Sequence, residues 1–499
     1  MAGPAMTYSM VDYADVQGLV RFGYGRMTSA SYALMRVKNV AAAKAWLRAA
    51  PVTNAVEKRP PPTTALQIAF TAPGLAKLGL PRSVMEGFSR EFRNGMNTDY
   101  RNRLLGDVDF NAPKHWKWGG PESEPHLLVM FFAEPEHFDS FVQNTKGDTW
   151  SDAFEEVICL GTSNLDGDEP FGFADGISQP QIDWEQQRQT PCTQLEYTNI
   201  AALGEFLLGY RNEYGKITDR PLLDPDAANT ELLPAVDAPA KKDLGRNGTY
   251  LVMRQLEQDV REFWKFLYKH AGGNLTEAAQ LGAKMVGRTQ TGDPLLPVQD
   301  EPIPGTQPST VKQNQFTYEA DPAGARCPFG AHIRRANPRN SDFPERRIGA
   351  LRKLIIILGF GPTGFYDDLT SSVRFHRILR RGREYGSELS PEQALQPAPP
   401  NEPRGLHFIC LNANISRQFE FLQNAWIANT KFSGLTGESD PLLGNPKPIS
   451  GSSVTGNFTI PSESTLRRRI SGLRQFVTVK GGAYFFLPSL RALRYFAGA

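Results

Sequence analysis

The sequence predicts an α+β chain built from two ferredoxin-like βαββαβ units, and three observations carry that expectation. A short segment repeats: Ser31-Tyr32-Ala33-Leu34-Met35-Arg36 returns as Thr249-Tyr250-Leu251-Val252-Met253-Arg254. Each copy is followed at once by apolar residues at helical spacing, and a second strand-then-helix pair comes later in each half. Each half then closes on a strand-like run. Two strand–helix pairs with further strands between and after them make βαββαβ, and similarity at the same structural juncture points to duplication.

The elements follow in order. After the first copy, the predicted helix turns Val40, Trp46 and Leu47 inward. Residues 126–132 read as a strand, 136–143 as a helix with Phe138 and Phe141 on one face, and 156–160 as the closing strand. In the second half the helix carries Val260, Phe263, Trp264 and Leu267. A strand is expected at 406–411, then a helix at 415–428 with Phe419, Leu422 and Trp426 inward, then two closing runs at 475–480 and 483–487. The division expected is 1–210 and 211–499, in line with a chain of 499 residues, which is long for one ordinary domain.

Composition bounds the function. With 40% hydrophobic and 22% charged residues the chain can bury a large core. A net charge of +2 gives no bulk electrostatic support for binding nucleic acid. Cys159, Cys192, Cys327 and Cys410 form no CxxC pair, so reduced thiols are expected, not a zinc site or a disulfide framework. Residues 1–13 have no basic or apolar signal-peptide region, and the strongest apolar run, 354–358, is too short to span a bilayer. A cytoplasmic protein without membrane contact is expected. Two long irregular segments, 296–325 and 387–403, bracket the stretch with the most chemistry, and loops around a pocket are expected there.

Three motifs carry that chemistry. Gly172-Phe173-Ala174-Asp175-Gly176-Ile177-Ser178-Gln179-Pro180 places a carboxylate between glycines in a tight turn, which lets backbone approach a flat ligand. Cys327-Pro328-Phe329-Gly330-Ala331-His332 offers an imidazole, the common protein ligand of haem iron, with Arg334, Arg335 and Arg339 after it to meet carboxylates. His376-Arg377-Ile378-Leu379-Arg380-Arg381-Gly382-Arg383-Glu384-Tyr385-Gly386 is a basic run. Singly, each is compatible with an ordinary surface turn or a solvated helix end.

Together they resemble the dye-decolorising peroxidase family, in its longer branch and without a secretion signal. The resemblance extends over nearly the whole chain, from Asp15-Val16-Gln17-Gly18-Leu19 to Gly481-Gly482-Ala483-Tyr484-Phe485-Phe486-Leu487-Pro488. It implies a fold of the dimeric α+β barrel type, with haem b in the second unit. It implies His332 as proximal iron ligand, Asp175 as distal acid–base residue and Arg380 as distal arginine, with Arg381 the neighbour to distinguish from it. Arg339 resembles a propionate-binding arginine, and Ile177 and Gln179 fall in the loop along the haem edge. Leu406 and Phe408 match the apolar pair of the distal pocket, and Asp440 resembles the acid that bonds the proximal imidazole.

The partners implied are hydrogen peroxide and aromatic reductants, and homo-oligomerisation is left open. For donors too bulky to reach a buried haem edge, Trp426 and Tyr385 are the surface relays suggested by proximity in sequence. His376 lacks the Cys-Pro context and is read as structural. The alternatives are iron release from haem and non-catalytic haem binding, and a further one is chlorite dismutase-like chemistry on a related fold.

Overall fold

Nine antiparallel strands form one sheet, and their order displays the duplication. The first half runs β1 (Ser29–Val37), α1 (Val40–Ala49), β2 (Thr64–Phe70), β3 (Leu127–Ala133), α2 (Phe138–Lys146) and β4 (Phe154–Gly161). Its strands lie in the order β4-β1-β3-β2. In the second half, β5 (Thr249–Gln258) and α3 (Val260–His270) lead by way of the short helix α4 (His332–Ala336) to a broken strand. That strand consists of β6 (Leu379–Arg380) and β7 (Arg383–Tyr385), and β8 (Gly405–Asn412) and β9 (Val477–Leu487) follow. The order is β9-β5-β8-β6, with β7 also on β8. Both halves therefore read fourth, first, third, second, and β2 meets β9 where Phe70 faces Phe486. In this computed structural model, residues 10–187, 197–300, 303–306, 311–341, 372–397, 402–446, 455–462 and 466–498 are described.

The repeated segments lie inside β1 and β5, and each is followed by its helix as expected. The side chains of Asn39 and Asp259 cap α1 and α3 by accepting from Ala42 N and Glu262 N. Trp46, Leu47, Val260, Phe263, Trp264 and Leu267 are buried, while Phe138 and Phe141 pack half-buried on the same core.

On the face away from the helices, Tyr32, Leu34, Met130 and Phe132 of the first half join Leu251, Met253, Ile409 and Phe485 of the second. The ends of the sheet also meet. Ser163 N donates to Glu384 O at 2.9 Å, Leu165 N to Glu384 Oε1 at 3.1 Å, and His407 Nε2 lies 3.0 Å from Gly161 O. The sheet is thus curled shut around an apolar interior, which protects its edges.

Four expectations change. The closing runs at 475–480 and 483–487 are one strand, β9, in which Lys480 is the extra residue of a bulge: Gln255 faces Gly481 while Leu256 faces Val479. Gly481 continues the strand because the Trp118 ring lies against it, and a Cβ there would sit 2.3 Å from Trp118 Nε1. We expect Gly481→Ala to destabilise the protein by roughly 1–3 kcal/mol through overpacking, read as a lower midpoint in thermal unfolding. The helix expected at 415–428 is π-wound over Ser416–Glu420 and Leu422–Ile427, although Phe419, Leu422 and Trp426 are buried as anticipated. Such winding is frequent at functional sites. Among the described residues, none of the 387–403 segment lines the cavity described below. Its helix, Pro391–Leu395, is pinned to α3 by Arg261, which donates to the carbonyls of Gln393, Ala394 and Gln396.

The fourth change concerns Tyr385, which is buried and stacked on His407 at 4.4 Å instead of lying at the surface. Cys159, Cys327 and Cys410 are free thiols, and Cys192 and the apolar run 354–358 lie outside the described residues. No helix among the described residues is long and apolar enough to cross a membrane.

Candidate active site

On the helix side of the second half lies a cavity of about 310 Å³, within the range of ligand pockets. Leu406 and Phe408 of β8 form one apolar wall, with Phe419, Leu422 and Trp426 of the π-helical segment and Val477 of β9. Period-2 alternation explains the first pair: Leu406 and Phe408 project to the cavity while His407 and Ile409 project into the barrel. Ile177 and Gln179 line another part, on the loop that follows the GxxDG turn. Phe316 and Tyr318, from the irregular segment 296–325, are also in the lining.

His332 opens α4, and its Nδ1 is 2.9 Å from Asp440 Oδ2. Asp440 is fully buried, and its Oδ1 accepts from Leu442 N and Leu443 N at 2.9 Å each. Burial pushes this carboxyl up. The His332 charge and hydrogen bond, the Arg335 charge and the Leu443 N–H together hold it below its ordinary range. An ionised carboxylate only accepts, so Nδ1 carries a proton, which leaves Nε2 as the nitrogen that would ligate a metal. Burial lowers the His332 pKa, but Asp440 more than reverses this and the net direction is up.

Two of the arginines after His332, Arg334 and Arg335, are engaged away from the cavity. Arg334 pairs with Asp321 at 3.0 Å, and Arg335 donates to the carbonyls of Trp426 and Glu438 at 2.8 and 2.7 Å. They fasten the turn that presents the imidazole. Arg339 does line the cavity; its guanidinium donates to Asn314 O and Phe316 O at 3.0 and 2.8 Å and lies over the Phe316 ring.

The GxxDG turn arises after β4, in the first half, and reaches the second. Gly172 and Gly176 both have positive φ, 85° and 75°, a conformation that costs glycine little. Between them Asp175 Oδ1 accepts from Arg380 Nη1 at 2.7 Å. Arg380 comes from β6 and is fixed at its backbone N by Gln179 Oε1 at 3.0 Å. The Asp175 side chain is 41% accessible, but that access opens into the cavity it lines, with protein around it. Burial therefore raises its carboxyl, and the Arg380 charge and hydrogen bond, the Gly176 N–H and the His332 charge overcome this to leave the pKa below its ordinary value. Arg381 turns away and donates to the carbonyls of Leu19, Val20 and Arg380 at 2.8, 3.1 and 3.1 Å.

Several lining residues escaped the sequence reading. Glu169 accepts from Phe171 N, Phe173 N and Gln258 Nε2, so it braces the turn that carries Asp175. Burial pushes it up to about 7. Arg288 and Arg377 share the cavity with Arg339. Arg288 donates to Gly292 O and Gln313 O, and burial with the charge of Arg339 lowers it to about 10. The only available signals were the six-residue spacing from Glu169 to Asp175 and the basic run that holds Arg377; Arg288 had none. Trp426, inward as anticipated, lines the cavity. His376 is a wall residue stacked on Phe421 at 3.6 Å, and burial lowers it to about 4.

No protein-family model matches the chain. Known proteins do. The chain is 28% identical to a dye-decolorizing peroxidase of Exidia glandulosa over 508 residues, covering 97% of this chain and 87% of that one. It is 30% identical to the multifunctional dye peroxidase of an Amycolatopsis species over 356 residues, 68% of this chain and 63% of that one. The crystal structure of a decolorizing peroxidase from Auricularia auricula-judae superposes with a TM-score of 0.72 at 26% identity, covering 98% of this chain and all of that one. Agreement in sequence and in fold along nearly the full length leads to one assignment: the chain belongs to the dye-decolorising peroxidases, a haem-dependent family.

Proposed function

We propose that the cavity binds haem b with His332 as the proximal iron ligand, and that Asp175 and Arg380 work on hydrogen peroxide to oxidise bulky dyes and phenolic or other aromatic donors. The observation that carries this is that one cavity is lined by an imidazole backed by a buried carboxylate and by a carboxylate–guanidinium pair. The residues fit the cofactor. Leu406, Phe408, Ile177 and Gln179 would flank the ring, and Arg288, Arg339 and Arg377 make a buried basic corner suited to its carboxylates. Haem bound there would supply the redox chemistry, and a histidine made strongly donating by its carboxylate would favour peroxide activation over oxygen carriage.

Asp440 holds a proton on Nδ1 of His332 and so leaves Nε2 as the nitrogen that would hold the iron. Asp175, ionised beside Arg380, accepts the first peroxide proton and returns it to the departing oxygen. Arg380 keeps Asp175 ionised and stabilises the negative charge that develops on that oxygen. The overall reaction consumes one peroxide and two donors, H2O2 + 2 AH → 2 H2O + 2 A•. We place the unit boundary near residue 210, so that the first unit contributes Asp175 and the second His332, Arg380 and Asp440. A reducing cytoplasmic setting accords with the free thiols Cys159, Cys327 and Cys410.

The test is a pH profile of anthraquinone-dye oxidation. Because Asp175 titrates below its ordinary value, it stays competent as a base into acid, and peroxide reduction consumes protons. The optimum should therefore lie roughly between pH 3 and 5, near an ordinary carboxylate pKa. Asp175→Asn should lose the activity without moving the optimum to neutrality. A neutral optimum in the parent, or an Asn variant that activates peroxide at the parent's rate, overturns the assignment.

A further inference from the structure

The turn that carries Asp175 holds a second carboxyl, and the two have opposite surroundings. Asp168 and Glu169 pair antiparallel with Ala174 and Phe173, so Glu169 sits across a two-residue ladder from the segment that leads into Asp175. Its Oε1 accepts from Phe173 N at 3.1 Å, and its Oε2 from Phe171 N at 3.1 Å and Gln258 Nε2 at 2.6 Å. What access this side chain has opens into the cavity it lines. Asp175 has the guanidinium of Arg380, whereas among the described residues Glu169 has no ion-pair partner.

The groups packed around Glu169 are neutral or engaged elsewhere. Trp264 of α3 donates to Phe171 O at 3.1 Å, and Gln290 donates to Gly172 O at 3.2 Å. Arg261 of α3 donates to Gln393 O, and Arg404, just before β8, donates to Ser387 O. Asp168 is exposed and feels the charges of Glu388 and Asp166. The charge that acts on Glu169 is that of Asp175, and it is negative.

We propose that Glu169 is a positioning residue that works in its protonated form, with its O–H held by Gln258, and that its ionisation sets the alkaline limit of peroxide activation. This rests on the peroxidase reading above. Two neighbouring carboxyls settle on one charge when only one of them has a cation beside it. Burial pushes Glu169 up to about 7, while Arg380 holds Asp175 down. Over the acid range Glu169 therefore keeps its proton, and Asp175 is the single charge on the turn.

Gln258 can serve both states. Its amide N donates to Glu169, and its buried Oε1 has no partner. Turning the amide over brings that oxygen to the carboxyl O–H, so a hydrogen bond joins the two side chains in either state. Above neutrality Glu169 gives its proton to water and the amide turns back. A second negative charge then stands near the place where charge develops on the departing peroxide oxygen, and this raises the barrier.

The experiment follows two signals in the haem-loaded protein. In infrared difference spectra between acid and alkaline buffer, a carboxylic C=O band should vanish with a midpoint at about 7. Glu169→Gln should lack that band and keep the one from Glu205, another carboxyl that burial pushes up to about 7. Gln258→Met should move the Glu169 band to higher frequency, as for an acid without an acceptor. Stopped-flow mixing with peroxide gives the second signal. The parent's rate of Soret change should fall roughly fivefold between about pH 5 and 9. The rate in Glu169→Gln, scaled to its own maximum, should stay flat over that interval.

A Glu169→Gln profile that is lower throughout but keeps the parent's alkaline fall marks a merely structural brace and overturns the proposal. So do parent and Glu169→Gln infrared spectra with the same bands. Should Glu169→Gln not fold, Gln258→Met decides, and an unmoved band overturns the proposal. Each of these failures leaves the peroxidase reading standing. A parent with no Soret response to peroxide at any pH overturns that reading and this role together.

Discussion

His332→Ala is expected to lose the Soret band, because it removes the one cavity-lining imidazole whose other nitrogen is held by a buried carboxylate. Asp440, which accepts from His332 and from two backbone N–H groups, then remains as a buried charge with fewer partners. Reconstitution with haem, read by absorbance per chain, checks this. Asp440→Asn should give a graded result, with haem affinity falling roughly ten- to hundredfold, as when a ligand's supporting bond is removed. His376→Ala is the contrast. Its Nδ1 is engaged by Arg417 O and its ring by Phe421, so the variant should keep its haem. A normal five-coordinate spectrum in His332→Ala would remove this residue from the site.

Arg380→Leu and Arg381→Leu are adjacent in sequence and should fail in different ways. Arg380 holds Asp175 at 2.7 Å, and losing a charge-stabilising donor of this kind costs on the order of 3 kcal/mol in the transition state, or roughly a hundredfold in rate. Its removal also leaves burial unopposed at Asp175, so the carboxyl pKa rises and the acid limb of the pH profile moves toward neutrality. Arg381 instead ties the carbonyls of Leu19 and Val20 to β6, and burial lowers it to about 10. Its loss should cost on the order of 2 kcal/mol of stability and leave peroxide activation near the parent's rate. Stopped-flow mixing with peroxide and thermal melts separate the two. The opposite ranking would shift the register of the site by one residue.

Much of this was legible before any coordinates. The segment shared by 31–36 and 249–254 marks the central strands, because a buried strand followed by an amphipathic helix leaves a local pattern. Asp175, His332 and Arg380 stand in short motifs. The pairing of His332 with Asp440 spans 108 residues, and only the family resemblance suggested it. What stayed hidden depends on contacts between distant segments. The bulge at Lys480 follows from Trp118 packing on Gly481, and no periodicity announces it. The π winding of 416–427 leaves the apolar spacing of an ordinary helix almost unchanged. Trp426 and Tyr385 were suggested as relays by nearness in sequence, which says nothing about access to the surface. Arg288 joins Arg339 and Arg377 only because the chain folds back on itself.

The closure of the sheet onto itself has a consequence for the birth of the protein. Asp175 arrives on a turn from the first half and Arg380 on a strand of the second, and the same region ties Glu384 to Ser163 and Leu165. A newly made chain whose halves have folded but not yet docked has the acid without its arginine. In that state the turn lies open to water and its carboxyl keeps the ordinary carboxylate range, so what is missing is the guanidinium that sits 2.7 Å from it in the closed sheet. The acid–guanidinium pair is therefore a property of the closed sheet and forms only when the two halves have met.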